Sequence, residues 1–464
     1  MSGTYLDRMS PEELRSALSL AGTFFFRMLG LFMITPVFVL YAEQLQGSTP
    51  NLVGVAIGVY GLTQALFQIP FGMLSDRHGR KPIITTGLLI FSFGSAIAAL
   101  SHHILWVILG RALQGAGAVG SATMALAADL IREEQRIKAM AIIGITIGLA
   151  FPTAFVAGPA ISTWLGTPAV FWLAGGLGLL AIAVLFLFVP QPAHTSFHRD
   201  CEYNPSQFWD IFTNPQLLRL DYGVLSLHFI LTATFVVTPL TLRDAVGLDL
   251  AQHWKMYLPT LLLSIVALGP LFRLAEGRGR MKEVFCGTVS LLAMSQLGFY
   301  FFQGQTFGLA LMLVFFFTAV NFLEASLPSL ISRMAPADRR GTAMGIYSTS
   351  QFLGIFMGGA LGGWFHGKFG LEAVYLLNTA IACLWLAPTL TMPQPRKLSP
   401  RLLHIGKLTG TEAQALTVKL LGITGIVEAV VVSDDETAYL KVDPDKFDGD
   451  ALSQMLAAQE SRSP

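Results

Sequence analysis

Long apolar runs alternate with short polar loops along most of this chain. A membrane-spanning helix needs about 20 consecutive apolar residues. Runs of that order lie at roughly 17–42, 52–74, 82–100, 104–131, 138–164, 168–190, 217–242, 252–275, 283–302, 306–334, 340–366 and 370–391. Each is predicted as a helix, because a backbone in lipid must satisfy its own hydrogen bonds. The longest polar interruption, 191–216, splits the twelve runs into six plus six. Inside it Phe208, Trp209, Ile211 and Phe212 predict a short amphipathic helix on a membrane surface.

The pattern changes after the linker "MPQPRKLSP". "RLLHIGKL" reads as a strand and "TEAQALTVKLLGI" as a helix capped by Thr411. "IVEAVVVSDDETAYLKVD" reads as two strands around a turn at 433–436, and "DGDALSQMLAAQ" as a second helix. The order β-α-β-β-α predicts a small ferredoxin-like α+β domain. The expected organisation is a six-helix bundle at 1–190, a cytoplasmic loop at 191–216, a second bundle at 217–392, a linker at 393–399 and a cytoplasmic domain at 400–464.

Composition agrees: 53% of the 464 residues are hydrophobic and 13% charged, against about 25% charged in soluble domains. The distribution of charge matters more than the net value of +1. Loops after even-numbered runs hold fifteen Lys and Arg, from Arg77 to Arg340; those after odd-numbered runs hold three, Arg243, Lys255 and Lys368. The excess marks the cytoplasmic side, so both termini are expected in the cytoplasm and the chain in the inner membrane. The polar N-terminus does not read as a secretory leader. Three dispersed cysteines suggest neither a disulfide framework nor a metal cluster. No Walker sequence and no basic groove is present, which argues against ATP chemistry, other enzyme activity and nucleic-acid binding.

The two halves repeat. "SDRHGRK" at 75–81 recurs as "AEGRGRM" at 275–281, so Asp76 maps to Glu276, Gly79 to Gly279 and Arg80 to Arg280. "GMLSDRHGRK" resembles the signature G-x-L-[SA]-D-R-x-G-R-[KR] of the major facilitator superfamily. Gly72, Leu74, Ser75, Asp76, Arg77, Gly79, Arg80 and Lys81 all match. "GRALQGAG" resembles the family's second motif, around Arg111. "AGPAI" keeps Gly158-Pro159 of the proton-antiporter motif but lacks most of its other glycines. With the soluble tail, the chain is most similar to the branch of bacterial YajR-type transporters. The resemblance implies twelve helices in two bundles around a central cavity, and secondary transport of a small molecule. It also implies that the 72–81 loop meets the inner end of the eleventh span when the molecule faces outward. The tail resembles the heavy-metal-associated domain without its Cys-x-x-Cys, so no metal is expected there. It either binds a regulator, self-associates, or is a passive appendage.

Gly79 permits a tight turn, and Arg80 offers a fork for a carboxylate. Asp129, at the end of the fourth run, is well placed to receive it. Asp76, Arg80 and Asp129 are expected to form a charge latch across the closed inner gate; the alternative is that the loop's positives only set topology.

Ionisable residues deep in spans are costly and usually functional. Arg27, Arg111, His228 and Glu324 lie in runs 1, 4, 7 and 10, the first helices of four three-helix units. The resemblance implies that these line the cavity, although Arg111 could instead anchor a helix through backbone carbonyls, and His228 could be a packing residue. Tyr60, Gln64 and Gln68 share a face, as do Arg111 and Gln114, Asn321 and Glu324, and Tyr347 and Gln351. These are expected to contact substrate or to hold helices together. Glu324, with His228, is the expected proton carrier. No cofactor is expected; a proton gradient would supply the energy. The readings left open are proton-driven export of an amphipathic or aromatic compound, uptake or facilitated diffusion, and a transporter-like sensor that signals through the tail.

Overall fold

The computed structural model describes residues 9–191, 205–336, 339–394, 399–405, 409–432, 437–443 and 446–460. The expected turn at 433–436 and most of the linker lie outside them. The first half contains α1 (Pro11–Phe32), α2 (Phe38–Ala42), α3 (Pro50–His78), α4 (Arg80–Leu100), α5 (Ile104–Ala116), α6 (Gly120–Leu130), α7 (Glu133–Leu165) and α8 (Thr167–Phe188). After α9 (Pro205–Phe212) come α10 (Pro215–Asp244), α11 (Trp254–Phe272), α12 (Met281–Phe301), α13 (Thr306–Met334), α14 (Arg340–Phe369) and α15 (Leu371–Leu390).

Two expected spans are each broken into two helices. The first stops at Phe32 and resumes at Phe38 beyond Pro36, whose ring cannot sit inside a helix without costing a hydrogen bond. The fourth breaks between Ala116 and Gly120, where the Gly117 backbone packs against the Gly87 carbonyl too closely for any side chain. Among the described residues, ten helical segments are long and apolar enough to cross a membrane, not twelve. The two that fall short are the first and the eleventh. α1 carries Glu12, Glu13, Arg15 and Arg27, while α14 is rich in glycine and hydroxyl residues.

The composition of α14 has a packing reason. It is clamped between α3 and α10. A Cβ on Gly58 would lie 2.6 Å from the Phe356 carbonyl oxygen, and one on Gly359 2.6 Å from that of Gly54. On the other side Gly354 and Gly358 press on the carbonyls of Leu225 and Phe229. Small residues let helix backbones approach in lipid, where no hydrophobic drive operates between helices. A helix covered on both faces needs little apolarity of its own.

This glycine seam joins the halves at the end away from the 72–81 turn. Other seam elements are α2 and α7 of the first half and α11 of the second. Phe151 and Phe155 of α7 meet Phe317, and Phe155 also meets Phe235 and Tyr257, at centroid distances of 4.9–6.3 Å. Arg243 at the end of α10 reaches Glu43 beyond α2 at 2.5 Å. The molecule is closed at this end.

α9 carries the expected apolar residues: Ile211 is buried, while Trp209 and Phe212 are exposed. In the tail, β1 (Ser399–His404), β2 (Ile426–Val432) and β3 (Thr437–Val442) form a sheet ordered β1-β3-β2. Both outer strands run antiparallel to β3. They are therefore parallel to each other, joined by α16 (Gly410–Leu421), and α17 (Gly449–Glu460) follows. The cap of α16 is Thr409, not Thr411: its backbone N–H donates to Glu412 at 2.8 Å, and Thr411 already lies inside the first turn. Lys441 of β3 pairs with Glu428 and donates to the carbonyl of Ala335, the residue that ends α13, at 2.6 Å. A cation at a helix C-terminus meets the negative end of the dipole, so the tail is fastened to α13.

Gly359→Val should lower the Tm of the purified protein in detergent and expose a cysteine placed at the buried Leu240, at the same end, to membrane-impermeant reagent. Gly345→Ala on the same helix meets open space and should leave both unchanged.

Candidate functional site

The 72–81 turn is assembled as its residues suggest. Gly79 ends α3 and opens α4 at once, with φ +92°, a region other residues avoid. Arg80 folds back: Nε donates to Asp129 Oδ2 at 3.0 Å, and Nη1 to Ser75 Oγ at 2.9 Å and to Asp76. Arg80 and Asp129 are buried. Lys81 Nζ donates to the Val189 carbonyl at 2.6 Å, just past α8. Gly72 lies against Ser121 of α6. The turn thus ties α3, α4, α6 and α8 together. Arg77 is exposed. Asp76 has Arg80 as its partner and, among the described residues, reaches nothing in the second half, so the expected crossing of the gate is not seen there in this conformation.

The second copy keeps the geometry and reverses the charges. Gly279 also has positive φ, at +66°. Glu276 of that turn pairs with Arg333 near the end of α13 at 2.7 Å. Where a loop arginine, Arg80, holds a helix-end carboxylate in the first half, a loop carboxylate, Glu276, holds a helix-end arginine in the second, within a loop that is still mostly basic. A further pair recurs at the same end. Glu13 of α1 holds Arg132 at 2.8 Å, and Asp210 of α9 holds Arg339 at 2.8 Å. The Arg132 side chain pulls the Glu13 carboxyl down to about 2.

In the first half, most expected cavity residues turn into the bundle. Arg111 Nε donates to the Ala56 carbonyl at 3.3 Å, and Nη1 to Gln114 at 2.7 Å. Gln114 passes on to Ser95 at 2.7 Å, and the guanidinium lies over the Tyr60 ring. Arg111 is therefore an anchor between α3, α4 and α5, and Tyr60 and Gln114 are not cavity wall here. Arg27, 1% exposed, donates to Gln64 at 2.9 Å and to the Gly117 carbonyl at 3.3 Å. That carbonyl lies at the break between α5 and α6, where it also accepts the Val119 N–H at 3.0 Å, so the buried arginine adds a second donor there. Gln68 is half-buried.

The second half gathers the titratable groups. His228 Nε2 lies 3.4 Å from Glu324 Oε2 and 2.8 Å from Gln351 Nε2, and Gln351 also reaches Glu324 Oε1 at 3.4 Å. His228 Nδ1 lies 3.1 Å from the Val224 carbonyl. A carbonyl only accepts, so Nδ1 carries a hydrogen and Nε2 is the atom that gains or loses a proton. The Glu324 side chain is 44% exposed although it sits mid-helix, while His228 is buried. Asn321, one turn before it, donates to Ser264 of α11 at 3.1 Å, and Tyr347 of α14 is buried within electrostatic reach of Glu324. α10, α13 and α14 therefore present one water-reachable carboxylate with an imidazole behind it.

A model of the Major Facilitator Superfamily matches residues 20–321 and 220–433. The chain belongs to that superfamily. It is a multi-pass membrane transporter. It is 44% identical over 436 residues to the inner membrane transport protein YajR of Escherichia coli, covering 94% of this chain and 96% of the relative. It is 27% identical to the multidrug resistance protein MdtH of Klebsiella pneumoniae, over 73% of this chain and 83% of that one. Its fold matches a bacterial homologue of the human lysosomal transporter Spinster, solved in an inward-facing, occupied conformation. The TM-score is 0.66 at 15% identity, covering 83% of this chain and 97% of that one.

Two features escaped the sequence reading. Asp221 of α10 is buried, yet it sits so near the start of its run that it reads as a loop-edge residue. Asn378 of α15 donates to Gln296 and Thr234 at 3.0 and 3.1 Å; single polar residues on three separate runs gave no pattern to find.

Asp129→Asn should destabilise the protein in denaturant unfolding, by less than the roughly 3–5 kcal/mol of a fully unpaired buried charge, because the buried Arg80 keeps only the partly exposed Asp76 as its charge partner. The Glu13–Arg132 pair has a depressed carboxyl, so its contribution is complete above pH 4.5 and disappears as pH falls through about 2. Thermal melts of Glu13→Gln should accordingly converge with those of the unaltered protein over that interval.

Proposed function

We propose that this chain exports a small organic compound across the inner membrane in exchange for protons, by alternating access. The observation that carries the reading is the His228–Glu324–Gln351 cluster. Its one exposed group is a carboxylate, and its buried imidazole turns Nε2 to Gln351 and Glu324. A proton arriving on Glu324 removes a charge from the cleft. A proton on His228 Nε2 makes it a donor to Glu324 and turns the Gln351 amide around. Either event changes which contacts hold α10, α13 and α14 together. That is what a coupled carrier needs, since a ligand shifts a conformational equilibrium only through differential contacts.

The excess of Lys and Arg at the 72–81 end supports a cytoplasmic placement of that end and of both termini. Twelve crossings then follow, with α1–α2 and α14 shielded by their neighbours. On this topology the conformation described is open to the cytoplasm. When the cleft closes there, Asp76 comes to the N-terminal end of α14, whose dipole favours a carboxylate by roughly 0.3–1 kcal/mol. Arg80 and Asp129 hold the turn in the shape that presents it. The relatives' names, which speak of multidrug and quinolone resistance, support export rather than uptake. The tail's split β-α-β sheet supports a ferredoxin-like domain. Lys441 on the end of α13 favours a second reading, in which the tail reports or regulates the state of the helix that bears Glu324.

In proteoliposomes, efflux of a transported dye should follow an imposed pH gradient, and Glu324→Gln should abolish the response by at least tenfold. Flux indifferent to the gradient would refute coupling. Deleting 396–464 should leave flux in place; its complete loss would favour the sensor reading.

A further inference from the structure

Asp221 is a buried carboxylate that the cluster above does not use. It lies seven residues before His228 on α10, two helical turns along the same face. It is 5% exposed, and its Oδ1 has no hydrogen-bond partner among the described residues. An anion so placed is costly unless something compensates it.

The surrounding groups can be named element by element. On its own helix, Arg219 turns away to the Thr391 carbonyl at 3.1 Å, and His228 faces Glu324. On α9, Asp210 is held by Arg339. α15 packs Trp385 beside Gly223 and carries only Glu372, at its far end, as a charged residue. α14 runs alongside in register, Gly354 on Leu225 and Gly358 on Phe229. One turn back along that register sets Asp221 level with Ser350, beside Tyr347. Tyr347 is buried and lies within electrostatic reach of both Asp221 and Glu324. None of these groups is a cation bound to Asp221. The helix begins at Pro215, so Asp221 stands between the cluster and the 72–81 end of the molecule.

We propose that Asp221 is a second proton-binding group, which receives the proton released by Glu324 and His228 on its way to the cytoplasm. Tyr347 is a buried hydroxyl within electrostatic reach of both. The step balances without any redox change. One O–H or N–H bond breaks at the cluster and one O–H bond forms at Asp221. The cluster's charge falls by one as the charge on Asp221 rises from −1 to zero. A buried neutral acid then needs no counter-ion, which accounts for the missing partner. The proposal rests on the proton-coupled reading above and adds a place where the proton pauses.

Infrared difference spectroscopy of the full-length protein in lipid nanodiscs, titrated with pH and without substrate, tests it. The C=O stretch of a protonated carboxylic acid should be lost in Asp221→Asn. In Glu324→Gln the pH at which that band appears should move lower, because a like charge is gone. Tyr347→Phe should displace it as well, and serves as the test if Asp221→Asn does not fold. A band unchanged in Asp221→Asn, or one indifferent to both Glu324→Gln and Tyr347→Phe, overturns the proposal. Transport that ignored a pH gradient while the band stayed coupled would instead overturn the export reading on which it rests.

Discussion

Hydrocarbon offers no partner to a polar group, so the buried arginines and amides of this bundle are held by other parts of the protein. That constraint explains where the helices break and where they meet. Arg27 can be buried because α5 and α6 part at Gly117 and leave it a carbonyl. At the break the same carbonyl takes the Val119 N–H as well, so both of its lone pairs are used away from lipid. The same logic places Arg111 against Ala56 and Gln114, and Asn378 against Gln296.

Against that background Glu324 stands apart. It alone of the four deep ionisable residues has a side chain open to water. The first half uses its buried arginines to hold helices, and the second uses its acidic groups and histidine at the cleft. A duplicated chain has divided the work between its copies. The paired turns show the same divergence: Arg80 with Asp129 in one copy, Glu276 with Arg333 in the other. Both pairs bind a loop to the helix that ends beside it, so the mechanical role outlasts the exchange of sign.

Movement between the halves needs a seam that can part. Glycine backbones and aromatic rings form most of it, with the Glu43–Arg243 pair at its edge. Contacts of this kind are short-range and carry few hydrogen bonds to break. The clusters that must persist, around Arg80 and around Arg111, lie within one half.

Much of this was legible in order of residues alone. Apolar run length found ten of the twelve expected spans among the described residues, because a bilayer has a fixed thickness. The 72–81 turn was legible because Gly79, Arg80 and Asp129 each have narrow physical uses. Helical spacing found Gln351 beside Tyr347 and Asn321 beside Glu324, since neighbours at three and four residues always share a face. Spacing could not say which way a face turns. Arg111, Gln114 and Tyr60 look no different in sequence from Glu324 and Gln351, yet the former close on their own bundle. The choice depends on where the neighbouring helices stand and which carbonyls a break has freed. Lys441 on Ala335 depends likewise on backbone placed far along the chain, whereas the Thr409 cap is local, a Thr-x-x-Glu box with Glu412 that the sequence already carried. Local chemistry and periodicity are properties of the sequence; orientation and partnership are decided only when separate helices come to share one space.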